Sequence, residues 1–327
     1  MASDPSRIFD TLTAYWRTAA LSAAIDLDLF TALGRRARTA SQLAADCGAE
    51  HSALRVLCDA LVSQGFLRAR NGRYRSAADA VRFLDARSPD SLVALPRFLN
   101  ARPVTGAFAN LAATVRRGPS SAGAASNTRV WTTFASATVA LRRCGAIDIA
   151  DELERRRISR GRILDVGAGA SPLGIELLRR ARDASLVAQD RASVARVAQR
   201  RAAEAGVGAR VTTLPGDAAT VDWGGPFDLV LMVNVLDYFD ASARRRLARK
   251  ARAALRPGGV LVISAPLLNG NRQSPPDAVA YNLLLLALQS SGRASTFLEM
   301  RQLLRDAGFA TVTRWRDAPV VLARTAR

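Results

Sequence analysis

The sequence predicts an α/β protein in two parts: an N-terminal helical region closed by a hairpin, then a doubly covered, mostly parallel sheet. Three observations carry this. From Arg162 onwards, short β-branched runs alternate with helical stretches, which is the pattern of strands joined by crossover helices. The first of these runs, Arg162–Gly174, reads RILDVGAGASPLG: an apolar run ends in Asp165 and turns through Gly167 and Gly169 into a helix near Pro172. Glycines at such a turn let the backbone approach a ligand closely. Ahead of it, helical segments lead to Asn71–Gly72, a strong two-residue hairpin signal.

Taken in order, residues 1–105 form the first region. Thr39 and Gln42 make a capping-box pattern opening a short helix that Gly48 ends. Ser52 is the expected cap of the next helix, which runs to about Ser63 before Gly65, so His51 falls in a solvated loop. Phe66–Arg70 and Arg73–Arg75 then flank the Asn71–Gly72 turn. Three helices and a hairpin give a winged-helix order, which raises DNA binding. The recognition helix would be Ala53–Gln64, where Arg55 is the only basic residue and apolar residues cover most of the circumference. Such a helix calls for burial rather than a phosphate-lined groove.

Residues 106–160 read as a connector. Gly118–Asn127 is a Gly/Ser/Ala-rich loop, and Val130–Leu141 a helix carrying Trp131 and Phe134 on related faces. From residue 161, strands are expected at Ile163–Val166, Leu186–Gln189, Val211–Leu214, Asp228–Val233 and Val260–Ser264, the last following a Pro257-Gly258-Gly259 turn. A helix Ala241–Leu255 precedes that turn, capped by Asp240. Two closing strands, Thr311–Trp315 and Pro319–Ala323, are separated by a short turn, and Thr296 and Glu299 read as a second capping box.

Composition bounds the function. The 327 residues can support two cores, and 49% hydrophobic content fits a globular chain. No run approaches the ~20 apolar residues of a membrane helix, and Leu283–Leu286 reads as a helix core. With no basic-then-apolar leader pattern, a cytoplasmic location is expected. Cys47, Cys58 and Cys144 are widely spaced and lack histidine clusters, so neither a disulfide framework nor a metal site follows. The net charge of +19 comes from 46 arginines and the single Lys250, spread over the whole chain. A nucleic-acid footprint should cluster instead, so no nucleic-acid or membrane partner is expected.

Asp165-Val-Gly167-Ala168-Gly169, with Ser171 in the place of a third glycine, resembles the first motif of class I S-adenosylmethionine-dependent methyltransferases. The run Ala14–Phe30 followed by the winged-helix pattern resembles the dimerisation domain of the caffeic-acid/acetylserotonin-type small-molecule O-methyltransferases. The resemblance spans nearly the whole chain. It implies a class I methyltransferase sheet of seven strands with one antiparallel strand, a homodimer through the N-terminal domain, and a small-molecule substrate, with the connector bordering its pocket. It also implies S-adenosyl-L-methionine as cofactor, held by Asp165, Gly167, Ala168, Gly169, Asp190 and Arg191, and by Gly216, Asp217 and Ala218. Asp190 would grip ribose hydroxyls at the second strand's end, and Asp217 the adenine at the third. Trp131, Phe134 and Tyr238 are candidates for the substrate side.

One departure stands out. The family's base is a His after the fourth strand, and Asp237 occupies that position. Two glutamates that often flank the base correspond to Ala265 and Ala294. A phenol near pKa 10 giving its proton to an ordinary Asp near 3.9 goes uphill by about 6 units, against about 3.5 for an imidazole. Asp237 is therefore a base only if desolvated, or else a cap for the following turn. Methylation at another atom, use of the cofactor without methyl transfer, and a regulatory or inactive partner role are the alternatives.

Overall fold

The computed structural model describes residues 4–118, 128–158, 160–288, 291–315 and 318–326, the side chains of 128–131 and 144 excepted. The loop expected at Gly118–Asn127 lies largely outside the described residues. The chain forms two compact units, Met1–Ala101 and Arg102–Arg327, so the helices of 106–160 belong to the second.

In the first unit, the helix Ser6–Asp26 buries only Ala24 and Ile25. Ile8, Phe9, Leu12, Tyr15 and Trp16 on the same helix are each more than half exposed. The helix Ala40–Cys47 opens with the expected capping box, Thr39 and Gln42 each bonding the other's backbone, and ends at Gly48 in the left-handed region. The next helix, His51–Ser63, begins two residues earlier than its sequence suggests. Its cap is Glu50, whose carboxylate accepts from the Ser52 and Ala53 amides, and Ser52 donates its hydroxyl to the same group. A carboxylate at the helix's positive end caps it more strongly than a hydroxyl. His51 is thus an exposed first-turn residue. One stripe of this helix is buried (Leu54, Cys58, Leu61), while Val56 is 70% exposed. Strands β1 (Arg38–Thr39), β2 (Leu67–Arg70) and β3 (Arg73–Ser76) form an antiparallel sheet in the order β1-β3-β2. Asn71 and Gly72 both take positive φ, as the tight hairpin requires.

The second unit is built on β4 (Arg162–Val166), β5 (Ser185–Asp190), β6 (Val211–Pro215), β7 (Phe227–Val233), β8 (Leu255–Ser264), β9 (Thr311–Arg314) and β10 (Val320–Arg324), in the order β6-β5-β4-β7-β8-β10-β9. β10 is antiparallel to both neighbours, and the other pairings are parallel. Successive residues of a central strand enter different cores: Ile163, Leu229 and Leu231 pack on one face, Leu164, Val230 and Met232 on the other. Burial on both faces explains why these strands read as continuous apolar runs.

Three expectations need correction. The helix expected at Val130–Leu141 is two helices, Thr128–Ala137 and Val139–Arg155, parted at Thr138. That residue's amide and hydroxyl both bond the Phe134 carbonyl, closing one turn before the next begins. Pro257-Gly258-Gly259 does not precede the fifth strand. It lies within β8, as an irregularity between Leu255, opposite Phe227, and Val260, opposite Leu229. Of Leu283–Leu286 only Leu285 is buried, and Leu283 is 42% exposed, because four consecutive helical residues spread round most of the axis. Among the described residues no helix is long and apolar enough to cross a membrane, and no group of ligating side chains is placed to hold a metal.

Candidate active site

Ligands of open α/β sheets sit beyond the carboxyl ends of the strands, and here the tips of β4 to β7 surround a cavity. Its lining includes Gly167, Gly169, Gln189, Asp190, Arg191, Gly216, Asp217 and Ala218. Gly167 and Gly169 have φ of 61° and 60°. A Cβ on Gly167 would stand 2.7 Å from the Val235 side chain, so both backbone and space demand glycine there. Ser171, in the third glycine's position, also holds a left-handed backbone (φ 49°). It is fully buried and donates its hydroxyl to Asp165 at 2.6 Å. That bond offsets the conformation a side chain rarely adopts.

Asp165 therefore works under the turn rather than in the cavity. It is 2% exposed, its other carboxylate oxygen has no partner, and burial pushes its pKa up to about 7. Ala168 likewise turns inward, its amide donating to the Gln189 carbonyl at 3.0 Å. Asp190 accepts from the Gly169 amide at 2.9 Å and the Arg191 amide at 2.7 Å, and burial raises its pKa despite both bonds. Asp217 is exposed at the tip of β6 and braced by the Ala219 amide at 2.7 Å.

Sequence reasoning missed Gln189. It is 1% exposed; its side-chain oxygen accepts from Gly167 at 3.3 Å and its amide donates to the Gly216 carbonyl at 2.8 Å. One side chain thus ties the tips of three strands into a rim. A polar residue at the end of an otherwise apolar strand, just before an acid, is the signal that could have found it. Lys250 was missed too: it donates to the Ala218 carbonyl at 2.9 Å and to the Val221 carbonyl, fixing the loop behind Asp217.

The opposite wall comprises Phe134, Ala135, Arg142, Val235, Tyr238 and Phe239. The Arg142 guanidinium lies 5.1 Å from the centre of the Phe134 ring. Tyr238, which follows β7 in the 3-10 turn Leu236–Tyr238, has its phenol raised by burial, with the Arg142 charge pulling the other way. Trp131 lies on the helix before Phe134, and its side chain falls outside the described residues.

Asp237 is placed differently from its neighbour. It is fully buried, does not line the cavity, and both carboxylate oxygens lack hydrogen bonds. Burial lifts its pKa to about 6, against the pull of Arg244, 3.9 Å away and itself buried. Arg244 is held by the Phe239 carbonyl at 2.9 Å and the Ser295 hydroxyl at 2.8 Å. Asp240 caps the following helix by accepting from Ala243 at 2.8 Å. Ala265 and Ala294 are buried and apolar. Glu299 closes the expected capping box with Thr296 and pairs with Arg272 at 3.0 Å.

Comparison with known proteins agrees with this architecture. Residues 163–259 match the profile of a methyltransferase domain, and residues 9–86 that of an O-methyltransferase dimerisation domain. The chain is 29% identical to the 3-hydroxy-5-methyl-1-naphthoate 3-O-methyltransferase of Streptomyces sahachiroi, over 96% of this chain and 92% of that protein. It is 26% identical to the tetracenomycin polyketide synthesis 8-O-methyl transferase of Streptomyces glaucescens, over 94% and 92%. Among solved structures, a Nostoc punctiforme protein described as an O-methyltransferase superimposes with a TM-score of 0.91 at 31% identity, covering 99% of this chain and all of that one. Human N-acetylserotonin methyltransferase in complex with S-adenosylmethionine shares the fold, at a TM-score of 0.85 and 20% identity over all of this chain and 99% of that one.

Proposed function

The chain belongs to the S-adenosylmethionine-dependent small-molecule O-methyltransferases, and on that premise we propose how its cavity divides between cofactor and acceptor. Gly167, Gly169 and Arg191 border the cofactor with Gly216, Asp217 and Ala218, while Asp190 takes the ribose diol and Asp217 the adenine amino group. Asp165 and Ala168 support this rim from beneath. The donor set suits the nucleoside: Asp190 keeps free lone pairs for two hydroxyls, and Asp217 presents an exposed acceptor beside it. The cofactor supplies an electrophilic methyl group.

The acceptor is a small hydroxylated aromatic of secondary metabolism, the class named for the Streptomyces relatives. It lies against Phe134 and Tyr238, with Trp131 on the same helix as Phe134. The observation that carries this reading is the cation at that wall. Arg142 favours an acceptor oxygen in its ionised form, which reduces the need for a strong base, and in-line positioning supplies much of the remaining rate. Asp237, with a pKa near that of an imidazole, is matched to the proton by energy but separated from the cavity by burial. Its role in this account is to position Tyr238 through Arg244 rather than to touch the acceptor.

The test is turnover with S-adenosylmethionine carrying a labelled methyl, against a panel of hydroxylated aromatic acids and polycyclic phenols. Labelled ether product in wild type, with kcat falling at least tenfold in Arg142→Gln, supports the reading. Product unaffected by Arg142→Gln overturns the acceptor assignment. The chain also forms a homodimer through the Ile8, Phe9, Leu12, Tyr15 and Trp16 face, which is too apolar for water and lies on a helix largely covered by the dimerisation profile. Light scattering should give a dimer for wild type and a monomer for Trp16→Glu.

A further inference from the structure

The hairpin of the first unit carries an arrangement that folding alone does not favour. In the β2–β3 register Arg68 faces Arg75 and Arg70 faces Arg73, so all four arginines project from one face of a two-stranded ribbon. Like charges directly opposite one another destabilise a sheet. All four residues are exposed, and among the described residues none of their side chains makes an ion pair or hydrogen bond. Tyr74 and Ser76 occupy the other face and are buried.

Arg68 and Arg75 also line a recess of about 940 Å³, together with Arg35, Arg82 and Arg87. Asp90 neutralises Arg82 and Asp85 neutralises Arg87, each at 2.9 Å, which leaves Arg35, Arg68 and Arg75 uncompensated. Three unpaired guanidiniums around one recess want an acceptor-rich anion.

We propose that this recess binds a diphosphate-type anion, two linked phosphoryl groups held by Arg35, Arg68 and Arg75. A single phosphoryl ester carries about −1.5 to −2 charge at pH 7, so matching three guanidiniums takes two. Guanidinium forks fit phosphate oxygens bidentately. Nucleic acid fits less well. The adjoining helix His51–Ser63 offers Arg55 already paired with Asp59, and an exposed Val56, instead of continuing a basic track.

Calorimetric titration of the full-length protein with inorganic pyrophosphate tests this, with sulfate and a short DNA duplex in parallel and S-adenosylhomocysteine as a control at the other site. One pyrophosphate site is expected, weakening as sodium chloride rises. In Arg68→Gln/Arg75→Gln it should weaken at least tenfold while S-adenosylhomocysteine binds as before. The double variant should melt no lower than wild type, since it removes a like-charged pair. No heat at millimolar pyrophosphate, sulfate binding equally well, or pyrophosphate binding untouched by the substitutions each overturns the proposal. Tighter binding of the duplex through the same two arginines replaces it with a nucleic-acid surface.

Discussion

The glycine rim on β4 to β6 and the turn Leu236–Tyr238 border one cavity, but they are held by different materials. The rim is fixed by short-range bonds: Gly169 to Asp190, Gly167 to Gln189, Gln189 to Gly216. Every bond there closes locally at a strand tip. The turn rests on one buried cation from outside it: Arg244 donates to the Phe239 carbonyl at 2.9 Å and the Asp237 carbonyl at 3.3 Å, while the Asp237 carboxylate, 3.9 Å away, stays without a hydrogen bond. The first arrangement gives precise positions for a constant ligand. The second stores electrostatic energy beside the part of the site that must suit a variable one.

This difference is open to attack, most severely at Arg244. Arg244→Ala leaves Asp237 as an uncompensated buried charge and should cost ~3–5 kcal/mol in denaturant unfolding near neutral pH. A loss under about 1 kcal/mol would mean the turn is held by packing instead. Next in size is Asp237→Asn. A buried carboxyl raised from 3.8 to about 6 binds its proton more tightly folded than unfolded, so wild-type stability falls as pH rises through that window. The two-unit shift makes this about 3 kcal/mol at most. In Asp237→Asn that component of the pH profile should vanish, which urea midpoints between pH 4 and 8 would reveal. Smallest is the rim: Asp217→Ala should weaken S-adenosylhomocysteine about tenfold, the loss of one charge-assisted hydrogen bond, with stability nearly unchanged because the side chain is exposed. Equal losses of binding and stability would erase the contrast.

How much of this was legible follows the same division. The rim could be read because its constraints are local: positive φ at Gly167 and Gly169, an acid ending each of three strands, and crossovers between them. The presence of one antiparallel strand among seven came with the family resemblance rather than from any pattern within the strands. Gln189 stayed hidden because its three-strand role depends on register, which no single stretch of sequence displays. The direction of the Asp237 carboxylate was equally hidden. Its partner Arg244 lies seven residues on in a helix, and its burial depends on Ser295 and Phe239 closing over that arginine. Helix caps fell between. Thr39 and Thr296 were readable, whereas Glu50 displaced Ser52 because a charged acceptor two residues upstream wins a local competition the spacing does not reveal.

Cofactor binding in this chain rests on the rim gripping an adenosyl nucleoside. A crystal structure with S-adenosylhomocysteine tests that most directly. It should show the ribose diol on Asp190, the adenine edge at Asp217 and the homocysteine chain running over Gly167 and Gly169 towards Arg142. Nucleoside density elsewhere, or a diol that leaves Asp190 bonded only to Gly169 and Arg191, would contradict it.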